Sequence, residues 1–101
     1  MNEEKMSSIL KKIYDADHDV GCWKVIRSIF ISKESNTIII DCYPGSSVEE
    51  YLIDLFKEFG LEKYIDVDEC EFIDWGSTAH DYEFSIKKEF THIFKSQKIS
   101  K

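Results

Sequence analysis

Residues 21–43 read GCWKVIRSIFISKESNTIIIDCY, and the fold turns on them. Two runs, Gly21 to Ser32 and Asn36 to Tyr43, are rich in β-branched and aromatic side chains. Such residues pack well on a pleated surface and lose rotamer freedom in a helix, so each run reads as a strand. Between them Ser32, Lys33, Glu34, Ser35 and Asn36 form a short polar link, which predicts an antiparallel hairpin. With Ile31 facing Thr37, Arg27 falls opposite Asp41 and Ile26 opposite Cys42. That register predicts a cross-strand ion pair and no bridge from Cys22 to Cys42. The unbroken run Ile38, Ile39, Ile40 predicts a strand covered on both faces, or nearly so.

Outward from this hairpin the period changes. Before it, Met6, Ile9, Leu10, Ile13 and Tyr14 recur at helical spacing, Asn2 is placed to cap, and Glu3 and Glu4 suit the positive end of the helix dipole. Asp15, Ala16, Asp17, His18 and Asp19 read as a polar loop closing that helix. Alternate aspartates there imitate the start of a calcium loop, but Val20 stands where the loop needs Gly and Ile26 where it needs Glu. After the hairpin, Pro44 and Gly45 turn the chain, and Ser47 with Glu50 predicts a capping box. The helix it opens carries Val48, Leu52, Leu55, Phe56 and Phe59 on one stripe and stops at Gly60, with Leu61 folding back. Glu69 to Trp75 and His80 to Ile86 form a second hairpin around Gly76 and Ser77, and from Lys87 the spacing of Phe90, Ile93 and Phe94 predicts a third helix before a basic tail. The order is α-β-β-α-β-β-α: an α+β domain over residues 1–101 with a four-stranded antiparallel sheet and helices packed on it.

The hydrophobic fraction of 43% over 101 residues predicts one folded domain, not a disordered chain. No run approaches the roughly 18 apolar residues of a membrane span, and the N-terminus has no signal-peptide pattern, so a cytoplasmic protein away from membranes is expected. Cys22, Cys42 and Cys70 are scattered, with no C-x-x-C pair, and read as reduced thiols. No glycine pattern cradles a phosphate, and Cys70 with His80 or His92 lacks any supporting motif. No enzyme activity, no metal site and no cofactor is therefore predicted. The many Ile and Lys beside two Ala and one Arg fit an AT-rich, bacterial source.

Charge is the most directional signal. The net charge is -7, and residues 34–86 carry fourteen acids against two bases while the ends are balanced or basic. Such a chain is a poor nucleic-acid binder, because counterion release requires a basic face. The acids concentrate in Tyr64 to Ile86, where Asp66, Asp68, Glu69, Glu71, Asp74, Asp81 and Glu83 alternate with Tyr64, Phe72, Trp75, Tyr82 and Phe84. Carboxylates supply field and aromatics supply contact area, which together predict a surface for a basic protein. The predicted contact residues are Asp66, Asp68, Glu69, Glu71, Asp74, Trp75, Asp81, Tyr82 and Glu83. A solubilising acidic face, a core position for Trp75, and Tyr82 turned inward by the alternation of its strand are the structural alternatives.

A short acidic domain with no catalytic motif and an acidic-aromatic stretch from Asp66 to Glu83 resembles, in general character, the small immunity proteins that bacteria make against their own toxin nucleases. The resemblance implies a protein that neutralises a basic toxin by covering its active site or substrate surface. Self-association through Trp75 and Tyr82, as a homodimeric adaptor, is the alternative, and a small metal-dependent enzyme using the acidic stretch comes after it.

Overall fold

The computed structural model describes residues 1–18 and 24–100. Helix α1 (Glu3–His18) is followed by strands β1 (Ile26–Ser32) and β2 (Thr37–Cys42), helix α2 (Val48–Glu58), and strands β3 (Ile65–Asp74) and β4 (His80–Ile86). A last short strand, β5 (Gln97–Ile99), and two 3-10 turns at Leu61–Lys63 and Lys88–Ile93 complete the α+β fold. The sheet therefore has five strands, not four, in the antiparallel order β3-β4-β2-β1-β5. The expected third helix is only a 3-10 turn, and the basic tail beyond it becomes an edge strand. Six residues cannot repay helix nucleation, whereas β1 offers the tail an open ladder edge.

Both helices cover the same face of the sheet. Met6, Leu10, Ile13 and Tyr14 of α1 and Val48, Leu52, Leu55 and Phe56 of α2 join Ile29, Ile31, Ile38, Ile40, Phe84 and Ile86 in one buried cluster. Phe56 meets Phe84 edge-on, with ring centroids 5.1 Å apart. Because side chains alternate across a strand, the intervening residues project from the opposite face, on which no helix among the described residues is packed. The Ile38–Ile40 run marks a strand covered by helices on one face only: Ile38 and Ile40 are buried, and Ile39, on the open face, is partly exposed.

The first hairpin forms one residue away from the expected register at its turn, with Ser32 opposite Thr37 and Ile31 opposite Ile38. A bulge between Ile26 and Ser28 absorbs the offset, so Ile26 still meets Cys42 and Arg27 still reaches Asp41, at 3.6 Å. Asn36 takes the left-handed conformation at the turn, which asparagine tolerates, and its amide donates to the Ile86 carbonyl at 2.6 Å. That bond ties the turn to the end of β4.

Two local expectations are corrected. Ser47 enters α2 with φ of 58° and makes no side-chain cap bond, so the capping box does not form; the Tyr51 amide donates to the Ser47 carbonyl instead. Asp15 and Asp17 lie inside α1, not in a polar loop, and Asp17 is 1% exposed. Asn2 caps α1 as expected, its side chain accepting from the Lys5 amide at 2.9 Å, and Gly60 ends α2 at φ of 75°. The remainder of the calcium reading, at Asp19 and Val20, and the expectations for Cys22 lie outside the described residues. Cys42 and Cys70 are free thiols, and among the described residues no helix is long and apolar enough to cross a membrane.

Candidate functional site: the open face of the sheet

Register places the side chains of the uncovered face in rows. One row runs Lys98, Phe30, Ile39, Glu83, Glu71 from β5 to β3. The next runs Ser28, Asp41, Asp81, Ile73, with Arg27 beside it in the bulge, and a third holds Ser32, Thr37, Ser85 and Asp66. Phe30 and Trp75 are 44% and 62% exposed. Arg27, Ser28, Phe30, Ile39, Asp41, Trp75, Ala79, Asp81 and Lys98 line a shallow groove of about 430 Å³ across the middle of this face.

Trp75 is held, not loose. Its backbone amide donates to the Ala79 carbonyl at 3.1 Å across the hairpin turn, and its indole NH donates to Asp81 Oδ2 at 2.7 Å. The ring is therefore fixed by a carboxylate that shares its face. An indole with its polar edge satisfied and its faces open is the form of Trp common at interface anchors.

Two pairs of carboxylates oppose each other directly across the ladder, Asp41 with Asp81 and Glu71 with Glu83. Like charges so placed work against the sheet. Burial holds the Asp41 carboxyl above its ordinary 3.8, the hydrogen bond and charge of Asp81 add to that, and Arg27 and, more weakly, Lys98 oppose it. Arg27 is already occupied: it pairs with Asp41, donates to the Thr78 carbonyl at 3.1 Å, and lies 5.5 Å from the centre of the Tyr43 ring.

A pH dependence follows from Asp41. Its folded form keeps a proton that the unfolded chain releases near 3.8, so its contribution to stability falls as pH rises from 3.8 through the raised folded value and is level above it. Asp41→Asn removes that slope. Urea midpoints of both proteins measured at a series of pH values should show the wild type losing ground to the variant across this window, and parallel curves there would refute the assignment.

The structure brings some predicted residues together and separates others. Glu71, Trp75, Asp81 and Glu83 share the open face, with Asp66 at its far end. Asp68 and Glu69 stand exposed at a bulge where β3 gains residues between the Asp66 and Cys70 pairings, the Asp68 amide donating to Asp66 at 3.1 Å. A charged bulge on an edge strand also guards against edge-to-edge pairing. Asp74 turns to the hairpin end, accepting from the Gly76 amide at 2.7 Å and lying 3.2 Å from His80 Nε2. Tyr82 is the correction: at 5% exposure it belongs to the helix-covered face, opposite Ile40, and burial raises its phenol above the ordinary range, so it cannot contact a partner.

Phe30, Ile39, Asp41 and Lys98 were missed. Alternation carried the signal for three of them: with Ile29 and Ile31 inward Phe30 must point out, and the same parity turns Ile39 and Asp41 out of β2. Lys98 depends on β5, for which no local pattern exists.

Burial, aided by the charge and hydrogen bond of Glu49, pushes the Cys70 thiol up to about 12. It stays protonated at neutral pH, whereas a nucleophilic cysteine must reach the thiolate. Among the described residues no three His, Cys, Asp or Glu side chains converge as metal ligands would. No family model, curated protein or solved structure matches the chain.

Proposed function

We propose that this protein binds and neutralises a basic protein, a toxin nuclease in the first instance, through the open face of its sheet. The observation that carries the reading is the pair of direct carboxylate oppositions, Asp41 with Asp81 and Glu71 with Glu83, on the face that also presents Trp75 and Phe30. An incoming Lys or Arg set between two opposed carboxylates relieves their repulsion, so the local electrostatics favour the occupied state. The rings contribute contact area at little entropic cost, and the net charge of -7 steers a cationic partner toward the molecule. A nuclease active site or nucleic-acid groove is a surface of that sign.

The test is titration of the protein into a basic nuclease encoded beside it, read as loss of nucleic-acid cleavage and by calorimetry. One equivalent should abolish cleavage, and raised salt should slow association. The triple variant Glu71→Lys, Asp81→Lys, Glu83→Lys should weaken binding about hundredfold, since three rim attractions become repulsions. Affinity unchanged in the triple variant would sink the reading.

A further inference from the structure

We infer that the free edge of β3, from Cys70 to Asp74, takes up an extended basic segment of a partner protein as a sixth, antiparallel strand of the sheet. Strand addition deepens the docking of a basic protein proposed above and rests on it for the charge of the partner.

The ladder shows which peptide groups are open. The Ile86 amide donates to the Asn36 carbonyl at 2.9 Å, and the Trp75 amide to the Ala79 carbonyl at 3.1 Å. Bonded and non-bonded positions alternate along an antiparallel pair, so these two bonds fix the parity of β4. His80, Tyr82 and Phe84 bond toward β2, while Asp81 and Glu83 bond toward Ile73 and Glu71 of β3. The peptide groups of Cys70, Phe72 and Asp74 therefore point away from β4, and among the described residues no strand lies beyond β3. The bulge between Asp66 and Cys70 interrupts only the first part of this edge. At the opposite edge, β5 has three residues and by the same parity turns only Lys98 outward.

The side chains along Cys70 to Asp74 define what fits. Phe72, 50% exposed, stands on the helix-covered side against His80 and Tyr82, with ring centroids 4.9 and 5.2 Å away. Both neighbours belong to β4, so the exposed half of the ring lies away from that strand. On the open side stand Glu71 and Ile73, with Glu83 and Asp81 inside them. An antiparallel strand laid here meets Asp74, Ile73, Phe72, Glu71 and Cys70 in turn. Its complementary pattern is basic, apolar, apolar, basic, apolar, and its second cation stands against Glu71, whose other neighbour is Glu83. Backbone bonds supply affinity in this mode and alternate side chains supply specificity.

Charge selects the occupant. Ile65 to Asp74 holds five acids and no base, so a second copy laid on this edge would bring five more acids, whereas a basic strand is attracted. The β5 edge presents Lys98, which repels that same strand.

The probe is a synthetic peptide, Ser-Lys-Val-Val-Lys-Val-Ser, blocked at both ends and titrated into the nitrogen-labelled full chain. By nuclear magnetic resonance, the amides of Cys70, Phe72 and Asp74 should shift and exchange at least about tenfold more slowly at saturation, while those of Glu71 and Ile73 change little. Methylating the backbone nitrogen of the central valine, which faces Phe72, should weaken binding at least about tenfold. The same change at the second lysine, whose amide points to water, should alter it less than about threefold. Ser-Glu-Val-Val-Glu-Val-Ser should not bind. Phe72→Pro, tolerable because that amide carries no ladder bond, should weaken uptake at least about tenfold, with circular dichroism confirming the fold.

Absence of any shift at about millimolar peptide would overturn the inference, as would equal losses from the two methylated peptides or shifts confined to Phe30 and Trp75. A chain that pairs its own β3 edges in sedimentation would overturn it too. Cleavage blocked in the nuclease titration alongside any of these results leaves the open face as the docking site and removes the added strand. Peptide uptake with cleavage untouched does the reverse, so the two readings fail separately.

Discussion

Asp17→Ala is expected to lower the unfolding free energy by roughly 3–4 kcal/mol, about a third of what a domain of this size commands. The Asp17 carboxyl, 1% exposed in the last turn of α1, accepts from the Ile26 amide at 2.8 Å, from the Val25 amide at 3.1 Å and from the Tyr51 hydroxyl at 2.7 Å. One side chain thus joins the end of α1, the start of β1 and the first turn of α2. Truncation removes the acceptor and leaves donors buried, which costs more than the bonds themselves contribute. Asp17→Asn retains one oxygen and should lose about half as much. Urea denaturation gives both values, and a drop in Tm of more than about 12 °C should accompany the alanine variant. A loss below about 1 kcal/mol would mean that the three elements are held together by apolar packing alone.

The same cluster has an alkaline signature. Burial first, then the hydrogen bond and charge of Asp17, raise the Tyr51 phenol above its ordinary 10.0. The native state therefore keeps a proton that the unfolded chain gives up, and stability falls as pH rises above 10.0 toward the raised folded value.

Why the helices and inner strands could be read from sequence, and the site only in part, has a physical basis. Helix α1, helix α2 and the two hairpins each carry their own period, because each buries one stripe or one parity of side chains against the common core. Strand β5 carries none. Gln97, Lys98 and Ile99 become a strand because β1 presents an unpaired edge, a tertiary fact invisible in three residues. Asp17 was misread for a related reason. An acidic run suggests solvent, and only the folded chain shows that donors from two other elements surround that carboxyl.

For the candidate site, composition pointed to a segment of the chain and could not point to a face of the sheet. Acids and rings of β4 alternate, so its rings turn to the core while its acids turn out, and the exposed rings that stand on the open face come from elsewhere: Phe30 from β1 and Trp75 from the hairpin turn. With three helices expected, both faces of the sheet could be covered. The described residues form two helices and two 3-10 turns, no helix of theirs covers the second face, and Ile39 and Asp41 are left partly exposed on it.

The two parities of β4 lead to the second large expectation. Phe84→Ala should cost roughly 3–5 kcal/mol, because a fully buried ring packed edge-on to Phe56, opposite Ile38 on one side and Cys70 on the other, leaves a cavity that neighbours from three elements cannot fill. Phe84→Leu keeps most of the volume and should cost about 1–2 kcal/mol. One residue earlier the sign reverses. Glu83→Lys places a cation opposite Glu71 and beside Asp81 on the open face, so stability should hold or rise by about 0.5 kcal/mol while affinity for a cationic partner falls. Denaturant midpoints and binding constants measured on the same preparations separate the two effects. If Glu83→Lys unfolded the protein as readily as Phe84→Ala, β4 would not divide its side chains between a covered and an open face, and the docking surface would have no place in the fold.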